Sequence, residues 1–580
     1  MNNESRICQN CKTQFVIEPD DFSFYEKMQV PAPTFCPSCR SQRRSAIRNE
    51  SSLYKRPCDS CKENIISMYH ADAPFPVYCQ KCWWGDGWDA IKYGREYDFN
   101  RSFFEQFRDL QRVVPAIALV NNPAQNVRSE YSNYVLQNKD CYLLFGSHYN
   151  ENCAYCWYGV RDKECLDVLE VTESELVYEG NFVGASYNCA FVEYVFDSRD
   201  CFFSYDLRGC NNCFLSYNLR SKNYCILNEE YSKEEYFKKI AEFNIGSFAS
   251  LGLLKKKFSE LKKQALRRSS YQKNSVGCIG DDMRESKNIR HGFRVELSED
   301  CAYCYPKITA AYNSMDISKI GYDRSEFCYE VISCTALNNS KFGQAFWQSH
   351  DLEYGHYNFS CGNLFGCISM KHKEYCILNR QYSKAEYFTL LSKITEQMKS
   401  FPYIDKKGRV YHYGEFFPIE LSPFGYNEST APDAYPLSKD EAVANGYPWR
   451  DPDVREFQKQ TYSIPDNIKD VKDDILEVVL SCGECKKNYR IANMELQFYR
   501  RVKLPIPRLC FKCRHFQRMN HRNPLKLWHR QCVCDYTVRK NSTKHPHHPE
   551  GRCANEFETS YASERPEVVY CETCYQAEVV

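Results

Sequence analysis

The strongest constraint in this sequence is the spacing of the cysteines at the two ends of the chain. Close pairs of the form Cys-x2-Cys recur near the N-terminus, separated by 24 residues and then by 17, and again near the C-terminus. Two such pairs supply the four soft ligands of a tetrahedral zinc ion. A segment of ~35 residues buries too little apolar surface to fold without help. The spacing therefore predicts folding units that depend on bound zinc.

The predicted ligands form four modules, two at each end. They are Cys8, Cys11, Cys36 and Cys39 in the first, Cys58, Cys61, Cys79 and Cys82 in the second, Cys482, Cys485, Cys510 and Cys513 in the third, and Cys532, Cys534, Cys571 and Cys574 in the fourth. Four thiolates leave no open coordination position, which predicts about four structural zinc ions. In the fourth module, Cys553 or a histidine of the insert can replace a thiolate; the histidines are His545, His547 and His548. A polar loop with incidental histidines is the alternative.

The third module repeats the first without a gap. Adding 474 to a residue number maps Cys8 onto Cys482 and Phe24-Tyr25 onto Phe498-Tyr499, with two prolines also matched. Such a match indicates a duplication. The shared pattern of Cys-x2-Cys-Lys, an aromatic residue, Phe-Tyr, Pro-x-Pro and Cys-x2-Cys-Arg resembles a treble-clef zinc-ribbon family of bacterial proteins. The resemblance covers only the two ends; it implies a knuckle and hairpin before a helix that begins at the second cysteine pair, and it implies no activity.

A second cysteine pattern recurs at every twelfth position in the centre of the chain. Its members are Cys141, Cys153, Cys165, Val177, Cys189, Cys201, Cys213 and Cys225. Turn-forming residues precede them by three positions, namely Asn138, Asn150, Asp162, Ser174, Ser186 and Ser198. Apolar residues mostly follow them by two positions, and Asp167 and Glu179 interrupt that column. The short period predicts a β-solenoid whose coils each have two short strands and two corners.

The rhythm resumes in a second block at Cys328, Ser340, Leu352, Leu364 and Cys376. Each block precedes a helix start of the form Ser-x-x-Glu, at Ser232 and Ser383, which predicts a helix that covers the last coil. Three central cysteine pairs also have metal-ligand spacing: Cys153/Cys156, Cys210/Cys213 and Cys301/Cys304. Residues i and i+3 of a strand face opposite ways, so we expect these cysteines to pack in the core instead.

The predicted fold class is a multidomain, mainly β protein, in which tandem treble-clef zinc-ribbon modules at both ends flank a central β-solenoid of 12-residue coils with capping helices. The predicted segments are a zinc-ribbon pair (1–99), a helical linker (100–130), solenoid block 1 with its helix (131–240), a Lys-rich helical insert (241–285), solenoid block 2 with its helix (286–400), an aromatic and proline-rich connector (401–475) and a second zinc-ribbon pair (476–580).

Composition narrows the classes of function. The N-terminus is polar, no apolar run approaches the ~20 residues of a membrane span, and 34 cysteines in a long chain without a signal peptide predict a reduced, soluble, cytoplasmic protein. No Walker A loop, dinucleotide-binding glycine motif, His-Glu-x-x-His or Gly-x-Ser-x-Gly occurs, which favours a protein that is not an enzyme. The formal net charge is +1, so an electrostatic partner needs a local patch.

A basic stretch follows the second cysteine pair in both the first and the third module. Its candidate phosphate ligands are Arg40, Arg43, Arg44, Arg48, Arg514, Arg518, Arg522 and Arg530. On a helix, spacings of four align arginines on one face, which suits phosphate contacts; a solvated basic face is the alternative. Nearby tryptophans, Trp83, Trp84 and Trp528, would stack on unpaired bases, and packing between the modules is the alternative. The favoured function is nucleic-acid binding, with RNA or a ribonucleoprotein as partner. The alternatives are a protein-interaction scaffold and an enzyme with a site near His545–Cys553 or in the connector.

Overall fold

The computed structural model describes residues 2–305, 308–318, 328–332, 334–335, 339–453, 456–538, 541–548 and 550–580. The chain divides into two compact units, each assembled from separate stretches. Unit 1 comprises Met1–Leu119, Ser270–Asp451 and Pro524–Lys526; unit 2 comprises Val120–Ser269, Pro452–Asn523 and Leu527–Val580. The N-terminal modules thus share a unit with the second repeat block, and the C-terminal modules share a unit with the first.

The described residues are mainly β. Their α-helices are α1 (Pro19–Lys27), α2 (Pro37–Ala46), α3 (Gln80–Trp84), α4 (Phe103–Gln111), α5 (Lys233–Glu242), α6 (Phe248–Gln264), α7 (Lys384–Ser400), α8 (Lys439–Ala444), α9 (Asn493–Val502), α10 (Phe511–Met519) and α11 (Glu572–Val579). Short 3-10 helices span Ala90–Tyr93, Ile419–Leu421, Tyr426–Glu428, Ala431–Asp433, Ile468–Asp470 and Asp473–Leu476. None of the described helices is long and apolar enough to cross a membrane.

The strands are β1 (Glu4–Ile7), β2 (Gln14–Ile17), β3 (Tyr54–Pro57), β4 (Asn64–Ser67), β5 (Val77–Tyr78), β6 (Ala116–Ile117), β7 (Ala154–Trp157), β8 (Leu166–Thr172), β9 (Tyr178–Gly184), β10 (Ala190–Phe196), β11 (Phe202–Arg208), β12 (Asn211–Phe214), β13 (Tyr217–Arg220), β14 (Asn223–Ile226), β15 (Glu229–Glu230), β16 (Leu266–Arg268), β17 (Gln272–Lys273), β18 (Gly280–Arg284), β19 (Lys287–Arg290), β20 (Gly292–Glu296), β21 (Glu299–Ala302), β22 (Ile308–Thr309), β23 (Tyr312–Met315), β24 (Cys334–Thr335), β25 (Lys341–Trp347), β26 (His350–Phe359), β27 (Gly362–Phe365), β28 (Glu374–Ile377), β29 (Arg380–Gln381), β30 (Tyr403–Ile404), β31 (Val410–Tyr411), β32 (Leu480–Ser481), β33 (Asn488–Tyr489), β34 (Trp528–Gln531), β35 (Glu556–Thr559) and β36 (Val568–Tyr570).

In unit 2, β7 to β14 pair in parallel, and each residue lies opposite its equivalent in the neighbouring repeats. Ala190 lies opposite Tyr178 on one side and opposite Phe202 on the other, and Cys213 lies opposite Cys225. Each twelve-residue repeat, or coil, therefore hydrogen-bonds in parallel to the repeats before and after it. The period of the sequence thus equals the difference in residue number between paired residues of neighbouring parallel strands.

Left-handed backbone turns divide each coil. From Tyr134 to Leu227, every third residue has a positive φ, including Gly146 and Gly209. Each coil therefore contains four left-handed corners, twice the number predicted. A left-handed residue other than glycine costs ~1–2 kcal/mol, and Asn and Asp tolerate this conformation best. They occupy several corners directly before a cysteine, as at Asp140 and Asn152.

The corner geometry points every third side chain inward. Cys153 and Cys156 are both buried, and both belong to one core cluster with the column of Cys189, Cys201 and Cys213. The prediction that i and i+3 face opposite ways is wrong here, because a left-handed residue between them turns the backbone. The expectation of core packing holds for these cysteines, which are free thiols.

The residues predicted to be turn formers instead form a buried polar ladder. The Oδ1 atom of Asn138 accepts the backbone N–H of Asn150 at 2.8 Å, and the Oδ1 atom of Asn150 accepts that of Asp162 at 2.9 Å. Ser174 and Ser186 continue the ladder with their hydroxyl oxygens. Each ladder residue satisfies a backbone donor one coil later, which a buried backbone amide requires.

The second repeat block, in unit 1, is less regular at its beginning. Leu352 pairs with Leu364 and Leu364 with Cys376, again at the repeat interval. In contrast, Glu299 pairs with Tyr312, so one extra residue lies in that coil. Both predicted capping boxes are present, at the starts of α5 and α7. Each helix packs a tyrosine ring on the last coil of its block.

The column of buried cysteines yields a test. We predict that Cys201→Asp lowers the free energy of unfolding by roughly 3–5 kcal/mol, because it places an unpaired charge in the core. Cys201→Val is the matched control, since Val177 occupies the same column and an apolar replacement of similar volume costs less than about 1.5 kcal/mol. Urea denaturation followed by circular dichroism measures both variants. Equal midpoints for the two variants would contradict the buried column.

Candidate metal centres and arginine helices

The first three modules build their cysteine clusters in the same way. The backbone N–H of the third cysteine donates to the sulfur of the first, from Cys36 to Cys8 at 3.3 Å, from Cys79 to Cys58 at 3.2 Å and from Cys510 to Cys482 at 3.3 Å. A left-handed lysine directly follows the second cysteine in each; these lysines are Lys12, Lys62 and Lys486. The tight turn brings both sulfurs of the first pair to one side.

A helix begins immediately after the third cysteine of each module. Cys36, Cys79, Cys510 and Cys571 are the N-cap residues of α2, α3, α10 and α11. The sulfurs of Cys79 and Cys571 accept the backbone N–H groups of Cys82 and Cys574 in the first turn of their helices. The hairpin followed by such a helix is consistent with zinc-ribbon-like modules.

The distances between sulfurs suit zinc. In each predicted set of the first three modules, the four ligand atoms lie within 4.8 Å of one another. The Cys11–Cys36 and Cys485–Cys510 sulfurs are 3.7 Å apart. A zinc–sulfur bond of ~2.3 Å in a tetrahedron gives a sulfur–sulfur distance of ~3.8 Å. These clusters are compatible with structural zinc sites, as predicted.

The fourth module differs from the predicted ligand set. Cys553 groups with Cys532, Cys571 and Cys574, whereas Cys534 groups with histidines and with Cys574. The Cys553–Cys571 sulfurs are 3.9 Å apart. Cys553 takes the position expected for Cys534 because the pair Cys532-x-Cys534 is one residue shorter than the knuckle of the other modules. Cys553 is one of the alternative ligands that the sequence predicted for this module.

The cysteines of the repeat blocks are a separate class. The ligand groups named above contain none of them. Burial raises the pKa of Cys156 and of Cys367 well above the ordinary value, so these thiols stay protonated. They behave as small apolar side chains.

Six of the eight arginines predicted to contact phosphate are buried in ion pairs. In unit 1, α2 places Arg40 against Asp316 at 2.6 Å. On the same helix, Arg43 lies 2.7 Å from Glu330 and 3.2 Å from Glu415. All three acids are buried. The helix therefore docks its basic face on acidic residues of the second block and the connector.

Unit 2 repeats the arrangement with the equivalent arginines of α10. Arg514 lies 2.9 Å from Asp167, and Arg518 lies 3.2 Å from Asp167 and 3.1 Å from Glu179. Arg522 pairs with Glu170. Asp167 and Glu179 are the two acids that interrupt the apolar column of the repeat. These two acids in an otherwise apolar column are therefore the feature of the sequence that indicates where α10 packs.

In the buried ion pairs, neighbouring opposite charges favour the charged forms of the arginines and carboxylates. Burial lowers the pKa of Arg40, but Asp316 and other neighbouring groups more than reverse this, so its pKa lies well above the ordinary value. Burial raises the pKa of Glu179, yet Arg518 and two further basic residues lower it below the ordinary value overall. Opposite charges compensate each other where water is absent.

Most of the arginines predicted to bind nucleic acid lie inside the structure. Arg40, Arg43, Arg44, Arg48, Arg514 and Arg518 are at most 3% exposed, so little of their side chains is accessible at the surface. Arg48 pairs with Glu50, and Arg530 donates to the carbonyl oxygens of Tyr561 and Ala562. Trp83, predicted to stack on bases, is fully buried and contacts Phe359.

No protein-family model and no curated protein matches this chain.

The link between metal and helix can be tested at Cys510. We predict that Cys510→Ser removes one zinc ion per chain and loosens α10, because the serine hydroxyl does not replace a thiolate ligand. Elemental analysis measures the zinc, and native hydrogen exchange measures the amides of α10. Cys189→Ser is the control, since it makes the same chemical change inside the repeat core. Unchanged zinc in the first variant, or lost zinc in the second, would refute the assignment.

The ion pairs generate a second prediction. Arg518→Leu leaves the buried Asp167 and the mostly buried Glu179 with less compensation and should cost about 3–5 kcal/mol of stability. Lys139→Met removes the exposed pair with Glu151 and should leave the urea midpoint nearly unchanged. Comparable midpoint shifts in the two variants would show that burial does not govern the pairs.

Proposed function

We propose that this protein is a non-enzymatic, zinc-stabilised scaffold of a reducing compartment such as the cytoplasm, and that its repeat, interpreted as a β-solenoid, binds an extended segment of a partner protein. One observation carries the proposal: a groove of about 670 Å³ in unit 2 between the first coils and α9. Solenoids commonly bind proteins along such surfaces. The proposal is the alternative that the sequence left open, and the burial of the arginines favours it over nucleic-acid binding.

The composition of the groove is that of a protein-binding surface. Its walls include Tyr131, Tyr142, Met494 and Phe498. Tyr131 is 45% exposed and its ring contacts Tyr142 edge to face. Tyrosine, methionine, phenylalanine and arginine are the residues enriched in protein interfaces. A peptide side chain that enters the groove would contact these aromatic side chains.

The charges of the groove argue against a phosphate ligand. Its two arginines are already paired, Arg128 with Asp140 and Arg501 with Glu164 at 2.6 Å. A third acid, Glu130, also lines the groove. The acids therefore outnumber the arginines among these groups, and a polyanion gains little there. In this groove a polypeptide would contact paired charges and apolar side chains.

A peptide library displayed on phage tests the proposal. We expect selection on the full chain to enrich peptides with an aromatic or aliphatic anchor, and titration calorimetry to show at least a tenfold weaker affinity for Tyr131→Ser/Met494→Ser. The matched control is Tyr187→Ser/Leu253→Ser, which removes two exposed apolar side chains of unit 2 outside the groove. Equal affinity for the groove variant and the wild type would overturn the groove assignment.

Mixed-sequence RNA and DNA oligonucleotides form the opposing arm of the same experiment. We expect no binding that falls steeply with salt, because six of the eight predicted phosphate ligands are buried. Salt-dependent binding that survives the groove variant would instead support the nucleic-acid hypothesis.

A further inference from the structure

The fourth module contains a second cluster of metal-ligating side chains beside its four-cysteine site. Cys534, His545, His548 and Cys574 place one ligand atom each within 4.8 Å of one another. All four side chains are buried. Cys574 belongs both to this cluster and to the cluster of Cys532, Cys553 and Cys571. Two ligand sets therefore meet at one sulfur atom.

The distances in the second cluster suit a tetrahedral zinc ion. The sulfur of Cys534 lies 3.5 Å from Nδ1 of His545, and this nitrogen lies 3.2 Å from Nε2 of His548. Zinc bonds of ~2.3 Å to sulfur and ~2.0–2.1 Å to nitrogen give ~3.6 Å for the first distance and ~3.3 Å for the second. Nε2 of His548 lies 3.1 Å from the sulfur of Cys574, roughly half an ångström shorter than the zinc-bound distance, and completes the set.

Neighbouring groups orient these ligands as they do in metal sites. Nε2 of His545 lies 2.9 Å from Oε1 of Glu578, so that nitrogen carries the proton and Nδ1 is left as the ligand atom. The amide of Asn541 donates to the sulfur of Cys534 at 3.1 Å. Glu578 also accepts hydrogen bonds from Ser542, which fixes the loop of the insert on α11.

We infer that the fourth module binds two zinc ions that share the thiolate of Cys574. One ion is held by Cys532, Cys553, Cys571 and Cys574, and the other by Cys534, His545, His548 and Cys574. The chain then carries five structural zinc ions, not the four that cysteine spacing predicts. No ligand position is left open in either set.

Charge favours the shared arrangement. Four thiolates around one Zn²⁺ leave two negative charges, whereas the five thiolates of both sets around two Zn²⁺ ions leave one. Less uncompensated charge is then buried in the module. Without the second ion, the polar ligand atoms of a cysteine and two histidines would be packed against each other in the interior.

Native mass spectrometry of the full chain counts the ions after free zinc is removed. We expect five zinc ions in the wild type, four in His545→Ala/His548→Ala and three in Cys574→Ser, because the last change removes a ligand from both sets. His529→Ala is the control and should retain five, since His529 lies on the surface and pairs with Glu556 and Glu558. Four ions in both the wild type and the double histidine variant would overturn the inference.

Cadmium NMR of the unmodified chain supplies a test that does not depend on variants. Cadmium replaces zinc in thiolate sites, and two cadmium nuclei that share a sulfur show scalar coupling to each other. We expect one coupled pair of resonances among five. Five uncoupled resonances would exclude the shared thiolate, and four would exclude the second ion.

Discussion

The buried ion pairs between arginines and carboxylates determine how each unit is assembled. Arg514 and Arg518 are removed from water, and they are tolerated there only because Asp167 and Glu179 are removed with them. A buried pair adds little net stability, but one partner without the other is strongly destabilising. The pairs therefore specify which surface of the repeat receives α10 more than they add to its stability.

The metal clusters and the ion pairs depend on each other. Cys510 caps α10 one turn before Arg514, so the zinc site positions the start of the helix that carries the arginines. The same relation holds between Cys36 and Arg40 on α2. A structural metal supplies the folding energy that a short segment lacks, and a helix anchored in this way presents its side chains in a fixed direction. Each of these helices therefore joins a cysteine module to a repeat block.

The repeat supplies the carboxylates of these ion pairs, and its backbone conformation places them. A left-handed residue at every third position turns successive triplets and directs one side chain of each inward. Residues at the corners, such as Asp167 and Glu179, point away from the cysteine column and reach the arginines. Hydrogen bonds between coils and the buried ladder of Asn138 and Asn150 offset the conformational cost of the corners. The sequence period thus encodes both the core and the docking surface.

The sequence by itself determined the features that depend on local spacing. Cysteine pairs around a turn identified the metal sites of the first three modules, and capping boxes at Ser232 and Ser383 identified two helices, because neighbours in the chain supply these contacts. Only the tertiary structure decided the rest. Arg518 appears in the sequence as one residue of a basic stretch, and its partners Glu179 and Asp167 lie far away along the chain. Whether such a charge faces solvent or a buried carboxylate depends on what packs against it, which spacing along the chain does not record.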